Sequence, residues 1–100
     1  MKRGTTPTHT FTLPFDVSAI EKMKILYAQD EQVKVTKTEA DATLEGNIVS
    51  VTLSQEDTLA LKCGKYVEIQ LRVLTAGNDA MNSDIIRVAV DRCLENEVLT

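Results

Sequence analysis

One hundred residues, 43% apolar and 26% charged with a formal net charge of −4, suffice for a single domain with one modest core. The acidic balance argues against a nucleic-acid backbone as the main partner, which would call for a basic face. No apolar run approaches the roughly 18 residues that a membrane crossing needs.

The chain opens with Met1-Lys2-Arg3-Gly4-Thr5-Thr6-Pro7-Thr8. This stretch is charged at its start but has no apolar stretch of the kind a secretory signal carries. It reads as a flexible N-terminal arm over residues 1–8, ahead of a single domain over residues 9–100. The first strand is expected from Thr8 to Phe15, where Phe11, Leu13 and Phe15 alternate with Thr10, Thr12 and Pro14. Pro14 has no donor for a ladder, so this is an edge strand or one that ends there. Asp16 to Ile20 is a connection. A second strand from Lys22 to Gln29 places Met23, Ile25 and Tyr27 on one face.

Gln29-Asp30-Glu31-Gln32 is a polar turn. The third strand, Gln32 to Thr38, turns Val33 and Val35 inward and leaves Lys34, Thr36 and Lys37 at the surface, as suits an edge. After Glu39-Ala40-Asp41 a short strand runs from Ala42 to Leu44. Gly46 is the residue expected at positive φ in the turn that follows. The fifth strand, Asn47 to Leu53, carries Ile48, Val49, Val51 and Leu53 and so has apolar residues on both faces, the mark of a central strand. Ser54-Gln55-Glu56-Asp57 has the form of a capping box and predicts one helical turn crossing between sheets, closed onto the core by Leu59 and Leu61 and ended by Gly64.

The strongest pattern is Tyr66 to Leu74. Val67, Ile69, Leu71 and Val73 alternate with Tyr66, Glu68, Gln70 and Arg72, which describes a half-buried antiparallel strand. Thr75 to Asp79 is a loop with Gly77 and Asn78 where turn chemistry wants them. The last strand, Ser83 to Asp91, puts Ile86, Val88 and Val90 on one face. Seven short strands at regular spacing predict an all-β, seven-stranded antiparallel sandwich with one short helical turn. Gly64-Lys65-Tyr66 looks like the tyrosine corner of immunoglobulin-like sandwiches, although Lys62 stands where an Asp is common, and the core Trp and inter-sheet cysteine pair are absent.

Chemistry-bearing residues are sparse. His9, the one histidine, lacks a partnered nucleophile and reads as a surface residue. His9, Cys63 and Cys93 lack the spacing of zinc ligands. Asp30-Glu31 and Glu39, Asp41 and Glu45 read as solvated turns rather than a calcium site. Cys63 and Cys93 are expected as free thiols of a protein made in a reducing cytoplasm and not exported by a signal peptide. No catalytic, cofactor-binding or metal-ligating residue is therefore assigned, no cofactor is expected, and an enzyme is not expected.

Asn47 to Leu53, Ser54-Gln55-Glu56-Asp57-Thr58, Gly64 and Val67-Glu68-Ile69-Gln70-Leu71-Arg72 resemble small prophage structural proteins of Gram-positive bacteria. So do Phe11-Thr12-Leu13-Pro14, Tyr27-Ala28-Gln29, Ser83-Asp84-Ile85-Ile86 and Leu94 to Val98, so that the resemblance spans nearly the whole chain from Thr8. The succession of strand, Gly-x-Tyr and strand is similar to the N-terminal immunoglobulin-like domain of phage upper-baseplate proteins. The resemblance implies a non-enzymatic virion or assembly protein of the tail or baseplate region, in the virion or the host bacterial cytoplasm. Its partners would be other phage structural proteins and itself as a homo-oligomer, with neither nucleic acid nor membrane. It carries over no binding residues. The alternative is a small ligand- or carbohydrate-binding β-sandwich module, weakened by the scarcity of aromatic residues that could stack on a sugar.

Overall fold

A computed structural model describes all 100 residues, Met1–Thr100. The alternating stretch becomes β6 (Tyr66–Thr75), which pairs antiparallel with an equally long β2 (Ile20–Gln29). These two strands form the middle of a five-stranded sheet. β3 (Gln32–Thr38) flanks β2, while β7 (Ala80–Asn82) and β8 (Ile86–Ala89) succeed one another along the far side of β6. A second sheet holds β1 (Thr8–Thr12), β5 (Ile48–Thr52) and β4 (Ala42–Glu45) in the order β1-β5-β4, so β5 is central as its two apolar faces predict. The two sheets pack as an all-β sandwich, with Val49, Val51 and Leu53 facing Ile25, Val67 and Ile69 in a shared core. Each such side chain contributes about 1.5–3 kcal/mol by leaving water. No helix is long and apolar enough to cross a membrane.

The crossing between sheets is α1 (Gln55–Leu59), and its start is the capping box read from the sequence. Asp57 N donates to Ser54 Oγ at 3.1 Å, and Ser54 N donates to Asp57 Oδ2 at 2.9 Å. Leu61 is buried beyond its end. The turn before β5 places Gly46 at φ 59°, a conformation that glycine adopts without strain. Between β2 and β3 the chain turns through Asp30 and Glu31 at φ 52° and 61°. Both central residues are thus left-handed, as in a type I′ hairpin, without the Asn-Gly that usually marks one.

Four expectations need correction. Val33 is not inward but 54% exposed. Tyr27 pairs with Val35 and Ala28 with Val33, so Lys34 is the extra residue of a β-bulge, and the bulge turns Val33 to the opposite face. The last strand is not continuous, which makes eight strands rather than seven. Arg72 pairs with Asn82 but Ile69 with Ile86, a one-residue slip around Ser83 to Ile85. Ser83 causes the break: its N donates to Leu71 O while its Oγ accepts from Leu71 N at 2.9 Å, so a side chain stands in for the backbone. Val90 from this region is buried, but Ile86 remains 49% exposed on an edge. Tyr66 is 64% exposed, so its ring does not fold onto the preceding turn and forms no tyrosine corner.

The fourth concerns residues 1–8, which are docked rather than free. Met1 N donates to Ala89 O at 2.7 Å, Asp91 N donates to Met1 O at 2.7 Å, and Arg3 N donates to Asp91 O at 3.0 Å. Lys2 and Asp91 thereby form a parallel bridge. The Arg3 guanidinium donates to Leu59 O at 2.8 Å and Asn96 Oδ1 at 3.0 Å, and the buried Thr58 hydroxyl donates to Thr5 O at 2.9 Å. Backbone groups of the opening residues supply the partners that the edge after β8 would otherwise lack.

Ile69 lies at the centre of the core and is 3% exposed. Ile69→Ala is expected to cost about 2–5 kcal/mol. Urea denaturation checks this, and an unchanged midpoint would mean that the inner face of β6 is misplaced.

Candidate functional site

β1 is one free edge of the three-stranded sheet, whose other edge is β4. Leu13 N donates to Asn47 O at 2.7 Å and Leu53 N donates to Pro7 O at 2.9 Å, so the odd-numbered positions carry the ladder to β5. Antiparallel strands alternate bonded and non-bonded pairs. The N–H and C=O groups of Thr8, Thr10 and Thr12 therefore point away from the sheet, along a free edge. Pro14 falls in the same phase just past the strand, where its missing N–H removes no bond to β5. The outer face of this edge is a row of hydroxyls. Thr8 Oγ1 lies 2.7 Å from Thr52 Oγ1, and Thr10 Oγ1 lies 3.4 Å from Ser50 Oγ.

A groove of about 300 Å³ runs beside the end of β1, between the two sheets. Leu13, Pro14 and Phe15 form one wall, and Leu71, Val73 and Met81 the other. It exists because a sheet three strands wide cannot cover one four strands wide: Met81 and Ile86 belong to the strands outside β6 and remain substantially exposed. The opposite free edge, β3, is charged instead. Lys34 Nζ donates to Gln32 Oε1, and Lys37 pairs with Asp57 at 2.7 Å. Lysines along an edge oppose pairing with another strand.

Behind β1 lies a buried polar contact. His9 Nδ1 is 2.7 Å from the Tyr27 hydroxyl, with the two rings 5.5 Å apart. Tyr27 is fully buried. Burial, followed by the negative charge of Asp57, pushes its hydroxyl pKa well above the usual phenol value. A neutral phenol and a neutral imidazole therefore share one hydrogen bond, whose direction follows the imidazole tautomer. Burial, followed by the positive Met1 amino group, holds His9 below its usual value of 6.5. For Asp57, burial pushes the carboxyl up, but the hydrogen bonds from Lys37 and Ser54 outweigh it and hold the pKa below the ordinary carboxylate value.

His9 is thus half-buried rather than a surface residue, a correction that was legible: it shares the phase of Phe11 and Leu13 on an inward face. Gln29, the last residue of the expected second strand and the first of the polar turn, is also in phase with Met23, Ile25 and Tyr27, and it is buried. Its Nε2 donates to Lys62 O at 2.8 Å and its Oε1 accepts from Lys62 N at 2.7 Å. A side-chain amide thereby imitates a ladder partner and ties the crossing after α1 to β2.

The remaining candidates stay apart. Cys63 is exposed and Cys93 is half-buried, both as free thiols. Asp30 is ion-paired to Lys65 at 2.6 Å. Glu39 Oε2 accepts from Met23 N, and Asp41 caps the turn at Thr38. No three of these residue types gather into a ligand-like group. Among known proteins, no family model and no curated protein matches the chain.

These environments set two outcomes. A histidine with a depressed folded pKa stabilises the fold fully above its unfolded value of 6.5, and that contribution is lost as pH falls below it. Thermal stability should therefore begin to decline below about pH 6.5, before the carboxylates titrate. His9→Gln should remove that first decline and leave the loss at lower pH. Titration of the native protein with a thiol reagent should show Cys63 reacting fast and Cys93 slowly, with both reacting fast after unfolding. A single rate for both in the native state would contradict the shielding of Cys93.

Proposed function

We propose that the chain is a non-enzymatic structural or adaptor protein of a phage or prophage particle, of the tail or baseplate region, acting through protein–protein contacts. The observation that carries this reading is the unpaired edge of β1 beside an apolar groove. An incoming extended segment would bond to the free groups of Thr8, Thr10 and Thr12, and its alternate side chains would enter the groove at Leu13, Phe15 and Leu71. Main-chain bonds would supply affinity and the groove would supply selectivity. The partner is another structural protein of the particle or a second copy of this chain, met in the virion or in the host bacterial cytoplasm during assembly.

The strand order supports the immunoglobulin-like part of the reading. The order β4-β5-β1 corresponds to D-E-B, and β3-β2-β6-β8 to C′-C-F-G. The α1 turn then falls at the E–F corner, and the Lys2–Asp91 bridge stands where an initial strand would run beside G. In this correspondence strand A is lacking beside B, which is the position of the open edge. A carbohydrate is a poorer fit, because Phe15 is the one aromatic side chain of the groove.

The mass of the full chain by light scattering should rise with concentration. Thr10→Lys, which puts a charge on the outer face of the edge without touching the core, should keep it monomeric with an unchanged melting temperature. Equal association of the two proteins would remove β1 as the contact, and a strict monomer in both would remove self-assembly.

A further inference from the structure

The outer face of the five-stranded sheet carries a second concavity, a trough of about 250 Å³ on the side away from the core. Its floor includes Leu74 and Ala80, and its rim is formed by Lys22, Lys24, Arg72 and Asn82. Three cations therefore surround one shallow depression in a chain whose net charge is −4. Two of them stand directly opposite one another, since Lys24 and Arg72 are cross-strand partners in the β2–β6 ladder. Like charges so placed destabilise a sheet. The ion pairs of the chain are Lys37–Asp57, Lys65–Asp30 and Arg87–Glu68, and none engages the trough. Backbone hydrogen bonds from Glu39 N and Met23 N, then the field of Lys22, hold the Glu39 carboxyl below the ordinary carboxylate range, while Asp41 accepts from Thr38 N and Oγ1. Neither forms an ion pair with Lys24 or Arg72.

Arg72 is also held in place. Its Nε donates to Asn82 Oδ1 at 3.0 Å, which orients the guanidinium and leaves both terminal nitrogens without an intramolecular partner. A guanidinium fixed in this way is prepared for two-point contact with an oxyanion. Lys22 and Lys24 lie two residues apart on the same face of β2, roughly 6.5–7 Å along the strand, close enough to converge on one small ligand.

We propose that this trough binds a tetrahedral oxyanion of the phosphate or sulfate type. Arg72 is the two-point ligand, and Lys22 and Lys24 are point charges on the remaining oxygens. A carboxylate offers two oxygens in one plane, which Arg72 alone would satisfy. A tetrahedral anion offers oxygens to cations on both strands at once. The bound anion removes the repulsion between Lys24 and Arg72, and the apolar floor accepts whatever small organic group the anion carries.

The test is an NMR titration of the full chain with sodium phosphate, against sodium chloride at matched ionic strength. Saturable shifts are expected for the amides around Lys22, Lys24 and Arg72 with phosphate but not with chloride. Arg72→Gln should weaken the apparent affinity about tenfold or more. Lys24→Gln, which keeps the Arg72–Asn82 bond, should weaken it as well. Both variants should melt no lower than the parent in anion-free buffer, because each removes one member of the opposed pair; that measurement guards against a mere folding defect. A phosphate monoester that binds tighter than inorganic phosphate would assign the site to a phosphate carried on a larger molecule, and equal binding would assign it to the free anion. Shifts that are linear and identical with chloride, saturation unchanged in Arg72→Gln, or tighter binding of glutarate than of phosphate would each overturn the proposal.

Discussion

The antiparallel ladder between β2 and β6 is the constraint on which the rest of the molecule depends. Both strands run for ten residues, and their pairing extends from Ile20 opposite Thr75 to Ala28 opposite Glu68. This register puts Met23, Ile25 and Tyr27 beside Val73, Leu71 and Ile69 on one inner face. A slip of one residue would turn that whole set to water. The smaller sheet depends on it in turn. Its apolar inner face must be buried against another layer, and Val49 and Val51 of β5, with Leu53 just beyond it, close onto this one.

The ends of the sandwich are held by polar side chains that take the place of backbone partners. Gln29 bonds both backbone groups of Lys62, Thr58 bonds Thr5, Ser83 enters the β6 ladder, and Asp57 and Ser54 cap α1. Apart from the cap, each joins segments that are distant along the chain, and all satisfy groups whose burial would otherwise be costly. The His9–Tyr27 contact has the same character, with the difference that one member is an imidazole whose pKa burial holds below its usual value. Cohesion in the interior is therefore largely independent of pH, while the attachment of β1 to the five-stranded sheet is not.

Unequal sheets decide what surface is left for partners. Neighbouring strands lie about 4.8 Å apart, and β7 and β8 share one position beside β6, so a sheet three strands wide falls roughly 5 Å short of covering one four strands wide. The shortfall appears at β7 and β8, where it opens the apolar groove next to the bare edge of β1. The opposite edge, β3, is guarded by lysines and by the bulge at Lys34. β1 is thus an edge suited to strand addition and β3 one that resists it, while β4 is the other edge of the smaller sheet.

Local sequence determined a good part of this. The alternation from Tyr66 onward, the apolar run of β5, the Ser54 capping box and the glycine of the Gly46 turn rest on interactions within a few residues, and each was legible without tertiary information. Positions in phase with a core face also announced the burial of His9 and Gln29, although their polarity disguised it. The tertiary structure alone decided the features that arise where distant segments meet. Three one-residue slips, between Ile20 and Lys22, at Lys34 and around Ser83 to Ile85, interrupt the alternation, and period-two reading assumes that no such residue is inserted. The docking of residues 1–8 depends on an edge formed near the other end of the chain, at Asp91. The trough around Lys22, Lys24 and Arg72 exists because β2 and β6 meet in one register out of many, and a strand carries no local mark of which partner residue will stand opposite it.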